Sequence, residues 1–372
     1  MDLINATPMQ AGYTMATRPD GRELLVVVVK GTFRIPDVPE GKPELAKEQE
    51  PLVQADVFTG EPGFSAPLYE IDYAPHKPRC DVLLNGSAYA PGGEPVDRVT
   101  VSLRVGTMIK SFDVVGNRIW KRGLLLVNAT DPEPFTVMPI SYDNAFGGVD
   151  RNHEDPNKHR WYLTNHAGIG YHEYQAREFI DGTPLPNTED TGRRITDPQG
   201  KYQPMAFGPL GRSWQPRIRW AGTYDQRWLD EKFPFLPDDF DDRYYQCAPE
   251  DQQMGYVQGG EEIALFNLTP HGRTEFQLPA MNVPIMFLLR NGERKVITAV
   301  PDTVLLEPDQ TRFMMTCRSA LELRRNIHEV REVHAGRRFM EGEMIPEKPG
   351  KRRYSSLAEL PAMRTRPNED ES

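Results

Sequence analysis

Apolar residues along this chain gather into short runs rather than into a 3.6-residue stripe, and the runs read as strands. Leu24–Phe33 (LLVVVVKGTF) is a β-branched run long enough for a central strand. Pro36–Pro51 is polar and proline-rich and reads as an exposed loop. Cys80–Tyr89, Val99–Val105 and Met108–Val115 are further strands, the last two joined at Gly106-Thr107 by a tight hairpin. Arg118–Trp120, after Gly116-Asn117, would extend them into a meander. Beyond residue 261 the pattern returns. Ile263–Leu268 and Thr274–Leu278 flank Thr269-Pro270-His271-Gly272, and Val283–Arg290 and Arg294–Val300 flank Asn291-Gly292, the strongest short hairpin signal. Thr303–Leu306 and Arg312–Cys317 complete the set, while Ala320–Val333 fits a helix only loosely.

Between these runs, residues 131–260 show weak periodicity and hold Trp161, Trp214, Trp220 and Trp228 among frequent Pro, Gly and Asp. The stretch reads as ordered loop, and an ordered loop of that length tends to be functional. Its best helix is Tyr224–Lys232, with Thr223 as cap, Gln226 three residues on and Pro234 as stop. The expected fold is therefore mainly β, with antiparallel sandwich or barrel-like units. An N-terminal unit (1–130) and a C-terminal unit (261–338) would be joined by the loop-rich segment (131–260) with a few short helices, and a polar mobile tail (339–372) would follow.

Composition agrees with many turns. The 372 residues include 30 Gly and 34 Pro, which disfavours helical bundles. Acidic residues outnumber Lys plus Arg by 54 to 44, a net charge of −10, which disfavours duplex nucleic acid and anionic membranes as partners. Cys80, Cys247 and Cys317 are odd in number and far apart, so no disulfide framework or CxxC zinc site is expected. The start lacks a basic segment followed by an apolar one, and no apolar run approaches the roughly 18 residues of a membrane helix. A cytoplasmic protein without membrane insertion is the resulting expectation.

The search for chemistry turns up little. GxSxG, GxxxxGK[ST] and HExxH are missing, and Gly168-Ile169-Gly170 lacks the third glycine of a dinucleotide fingerprint. His153, His159, His166 and His172 have gaps of five, six and five residues between them, which match neither a helix face nor alternate strand positions, so no metal is expected. Cys247 beside Tyr244 and Tyr245 reads as packing rather than as a nucleophile. Neither a catalytic residue nor a cofactor is assigned. Trp214, Arg217, Tyr224 and Trp228 are different, because Trp, Tyr and Arg dominate interface hot spots; they are candidates for a partner surface or for holding their loop in shape.

The central motifs also carry a resemblance. Asn144-Ala145-Phe146-Gly147-Gly148, Leu185-Pro186-Asn187-Thr188-Glu189, Phe207-Gly208-Pro209 and Trp214-Gln215-Pro216-Arg217 occur in that order. Ala221-Gly222-Thr223-Tyr224-Asp225-Gln226-Arg227-Trp228, Leu236-Pro237-Asp238-Asp239-Phe240, Ala248-Pro249-Glu250-Asp251-Gln252-Gln253, Gly259-Gly260-Glu261 and Asn267-Leu268-Thr269-Pro270 follow. The ordered set resembles the bacterial family called domain of unknown function 2169, over roughly residues 10 to 335. The resemblance implies a non-enzymatic adaptor or chaperone of type VI secretion effectors. Such an adaptor would hold an effector through its PAAR-type or membrane-inserting region and help load it onto the VgrG spike. Phe146, Gly147, Gly148, Asn187, Gly208, Gly222, Asp225 and Gly260 are the motif positions expected to be structural. A metal-dependent or thiol hydrolase using the central His/Asp/Glu set and a carbohydrate-binding module on Trp220–Trp228 are the alternatives.

Overall fold

A computed structural model describes residues 1–37, 41–124, 126–174 and 177–336, and within them the protein is mainly β. The tail expected at 339–372 lies outside the described residues. The larger sheet uses β1 (Asp2–Asn5), β2 (Gln10–Thr17), β3 (Glu23–Arg34) and β4 (Cys80–Leu84). From the other end of the chain come β10 (Val283–Leu289), β11 (Arg294–Glu307), β12 (Arg312–Glu322) and β13 (Val330–Ala335). Their spatial order is β1-β13-β10-β11-β12-β3-β2, with β4 alongside the second half of β11, and the sheet curls into a nearly closed barrel. The smaller sheet has the order β7 (Thr188–Glu189), β6 (Met108–Val115), β5 (Arg98–Val105), β8 (Glu262–Phe266), β9 (Arg273–Gln277), all antiparallel.

The segments 1–130 and 261–338 therefore share both sheets instead of forming a unit each: β3 pairs with β12 along eleven residues, and β5 with β8. Two pairings in the larger sheet are parallel, β1 with β13 and β4 with β11. The sheets meet over one core. Val99, Val101, Leu103 and Val105 alternate inward along β5, as period-two geometry requires, and face Leu25, Val27, Val29, Val304 and Leu306. Phe313 of β12 joins the layers, stacked on Phe33 at 5.3 Å and against Phe276 of β9 at 5.3 Å.

β3 is buried on both faces, which explains its unbroken apolar run. Leu25, Val27 and Val29 enter the main core, while Leu24, Val26 and Val28 pack with Ala16, Leu52 and Tyr73. The described part of Pro36–Pro51 is accordingly not a free loop. Gln49 lies across β3, its side chain accepting from Thr32 N at 2.8 Å and donating to Thr32 O at 3.0 Å.

Several expected elements differ in detail. Arg118–Trp120 does not extend the β5–β6 hairpin: Trp120–Arg122 pairs with Val127–Ala129, and β6 pairs with β7. Arg294–Val300 and Thr303–Leu306 are one strand, carried across a bulge between Pro301 and Thr303, the kind of irregularity beside which a strand tolerates proline. Ala320–Val333 is not an α-helix, and only Ile327–Glu329 within it makes a single 3-10 turn. β12 runs on to Glu322, and after a short turn β13 begins at Val330. Helices are few and short: α1 (Arg177–Ile180), α2 (Gln215–Ile218) and α3 (Gln226–Glu231). No helix of the described residues is long and apolar enough to cross a membrane.

Candidate functional site

The segment from Trp214 to Tyr245 is short of apolar pattern, so side chains must fix it. Pro216 sits in the first turn of α2, where its missing donor is harmless. Trp214 is 3% exposed and meets Tyr142 edge-on at 5.3 Å. Arg217, 2% exposed, donates to the carbonyls of Leu210 (2.9 Å) and Tyr244 (2.8 Å) and pairs with Glu70 at 2.6 Å. Arg212 pairs with the same Glu70 oxygen at 2.6 Å and with Asp56 at 2.7 Å. Burial acts to raise the Glu70 carboxyl, but Arg217, Arg212 and Lys77 outweigh it and hold the group below its ordinary value. Trp214 and Arg217 thus face the interior and hold the loop.

Tyr224 and Trp228 sit elsewhere. Gly222, at a φ of 83°, turns the chain beneath Pro237, and Thr223 is bonded to Asp239. The cap of α3 is Asp225 rather than Thr223: its carboxylate accepts from Trp228 N at 2.8 Å. Trp228 is half-buried and donates its indole N–H to Phe235 O at 2.9 Å, and its ring touches Tyr224 (4.7 Å) and Phe233 (5.7 Å) edge-on. Around it Tyr224, Leu229, Phe233 and Phe235 are 45% to 63% exposed. Leu229 on this short capped helix and Tyr224, Phe233 and Phe235 just outside its ends make an apolar ridge of the kind that marks interaction sites.

Other residues of the same segment, Gln215, Pro216, Arg217, Arg219, Trp220 and Arg243, help to line a cleft of about 1120 Å³. Seven of its lining side chains are Lys or Arg and two are carboxylates, Glu250 and Asp251. The cleft is thus cationic in a chain with a net charge of −10. Two of the cations are internal: Arg217, and Lys110, which bonds Gln252 at 2.8 Å and Asp251 at 3.2 Å. Burial pushes the Lys110 ammonium below its ordinary value against the pull of Asp251. Five are exposed: Arg79, Arg193, Lys201, Arg219 and Arg243. Arg243 pairs with Asp241 at 2.6 Å, and Arg219 lies 4.0 Å from Glu250. Both guanidinium groups also stack on Trp220, 3.4 Å (Arg243) and 4.7 Å (Arg219) from its ring centre. The Trp220 ring of the supposed sugar platform is already engaged by arginines. Among the described residues, Arg79, Arg193 and Lys201 have no carboxylate at ion-pair distance.

The motif residues are placed as follows. Phe146 fills a second core with Trp120, Tyr162, Tyr171 and Tyr202. A Cβ on Gly147 would lie 2.3 Å from Asn165 O, and one on Gly148 2.2 Å from Gly168 O, so only glycine fits at either position. Asn165, wholly buried, donates to the carbonyls of Tyr142 and Phe146. Asn187 donates to Val115 O and to Asn117. Gly260, at a φ of 91°, donates its N–H to Leu278 O at 2.7 Å, and a Cβ on Gly208 would meet Asn85 at an ordinary 3.6 Å.

The histidines do not converge. His153 accepts from Asp155 N, His159 donates to His153 O, His166 packs against Trp161, and His172 bonds Thr183. Among the described residues no group of three or more His, Cys, Asp or Glu is placed to hold a metal ion. Cys247 is 1% exposed, and burial, reinforced by Asp81, pushes its thiol well above the ordinary range. Sequence patterning singled out Trp214–Arg217 but missed the cleft. Its cations come from positions 79 to 243, and no local signal marks charges that meet only after folding.

The sequence model of a bacterial family, described as "Uncharacterized protein conserved in bacteria (DUF2169)", matches residues 20–318. No curated protein and no solved structure matches the chain. The match covers most of the sequence, and the chain belongs to that family.

Proposed function

We propose that this family member is a non-enzymatic adaptor that binds a type VI secretion effector in the cytoplasm and promotes its loading onto the VgrG spike. The resemblance in the central motifs supplies the partner class, and PAAR-type or membrane-inserting regions of the effector are the expected contact. The observation that carries the reading is the ridge of Tyr224, Leu229, Phe233 and Phe235 around Trp228. A capped helix and the Trp228–Phe235 bond hold it in shape, so little side-chain freedom is lost when a partner covers it. Apolar regions of an effector need such cover before export.

The test is co-purification of this chain with the effector encoded beside it, using the wild type and single Tyr224→Ala and Phe233→Ala variants. Loss of about 2 kcal/mol or more in binding, with unchanged melting, is the expected outcome for a hot spot. Undiminished capture by both variants removes the ridge from the interface. No capture by the wild type removes the adaptor reading itself.

A further inference from the structure

The ridge is apolar, yet the cleft lined by other residues of the same segment, 214–245, is cationic. We infer that the cleft binds an acidic peptide stretch, rich in Asp and Glu, of the partner protein. Three observations converge. First, the exposed guanidinium and ammonium groups of Arg79, Arg193 and Lys201 lack carboxylate partners among the described residues, although the chain carries ten more acidic than basic side chains. Charges of the minority sign left unpaired in a concave site focus the local potential toward an anion.

Second, Arg243 is held on Trp220 with its fork filled by Asp241 at 3.0 and 2.6 Å, whereas Arg219, stacked on the same ring, lies 4.0 Å from Glu250, beyond hydrogen-bond distance. A fork of that kind receives a carboxylate through two parallel bonds. Third, Gln203 and Gln215 line the cleft with exposed amides, groups that pair with peptide backbone. The cleft's volume of about 1120 Å³ exceeds the usual range of small-ligand pockets, roughly 300–1,000 Å³. A polyphosphate or nucleic acid is the weaker fit, because the rest of the acidic surface repels a long polyanion.

The inference rests on the adaptor reading only for the source of the peptide. The probe is a short fluorescein-labelled peptide of Glu and Asp around one Tyr, titrated into the full chain, with its Gln/Asn counterpart as control. The acidic peptide should bind, the neutral one should not, and affinity should fall as salt rises. Arg193→Gln with Lys201→Gln should weaken binding about tenfold or more. Arg193 also stacks on Tyr202 and bonds Lys201 O, so Lys201→Glu alone, which removes no side-chain hydrogen bond or ion pair among the described residues, is the second variant and should act in the same direction with melting unchanged.

Equal binding of the neutral peptide overturns the inference, as does unchanged affinity in Lys201→Glu. Displacement of the peptide by inorganic polyphosphate at equal charge would assign the cleft to phosphate instead. Effector capture by the wild type alongside a failed peptide titration discards the cleft proposal and leaves the adaptor reading standing. Peptide binding without effector capture does the reverse.

Discussion

The two sheets and the segment from 131 to 260 reach order by different routes. In the sheets, backbone groups pair with each other, and alternating apolar side chains fill the space between the layers, so each residue contributes a small and replaceable part. In the segment, a few buried polar side chains each satisfy several backbone or charged groups. Arg217 serves Glu70, Leu210 and Tyr244; Gln252 serves the carbonyls of Val82 and Phe207; Asn165 serves Tyr142 and Phe146. Irregular chain can thus be held as firmly as a strand, but through single points of failure. Removing one such side chain strands several buried partners at once.

That contrast can be broken by experiment. Arg217→Ala should show the largest effect, about 3–5 kcal/mol in denaturant melts, because it leaves the Glu70 carboxylate buried beside one fewer cation. A loss under about 1 kcal/mol there would mean that the loop does not depend on its anchor. Glu70→Gln should come next and should also change the pH profile. The Glu70 carboxyl is held below its ordinary value, so its contribution is complete above the unfolded pKa of about 4.3 and is lost as pH falls through the folded value. The wild type should lose stability across that acid window, and the variant should lose less.

Asp225→Ala, which removes the cap of α3, should cost about 1 kcal/mol and should loosen the ridge without disturbing the sheets. Ile285→Val, inside the main core, should cost about 0.5–1.5 kcal/mol, a value that sharpens the difference from Arg217. Tyr224→Ala should fall within about 0.5 kcal/mol of wild type in melting, since its side chain is half exposed.

How much of this was legible in the sequence follows the same division. Leu24–Phe33 was readable as a central strand because burial on both faces leaves an uninterrupted apolar run. The Asn291-Gly292 hairpin was readable because that turn has its own residue chemistry. Ala320–Val333 was not: Leu321 and Leu323 alternate with exposed neighbours as a strand should, yet Leu323, Ile327 and Val330 are also spaced like a helix face. For Arg217 the residue was legible and its direction was not. Whether an arginine beside tryptophans points outward or inward depended on Glu70, which no local pattern connects to it. The cleft lay beyond reach for that reason too, since Arg79, Lys201 and Arg243 become neighbours only through the fold.

The central position of β12 has a consequence for biosynthesis. β12 sits between β11 and β3 and covers one edge of β3 from Leu24 to Arg34. A ribosome delivers β3 early and Arg312–Glu322 late, an interval on the order of tens of seconds at ordinary elongation rates. Throughout it the β2–β3 hairpin presents a bare edge carrying Val26, Val27, Val28 and Val29, the kind of template on which nascent chains cross-pair. The growing polypeptide therefore needs a cover of its own before it can give one to anything else, and its yield in a cell should depend on how fast the stretch from β3 through β12 is translated.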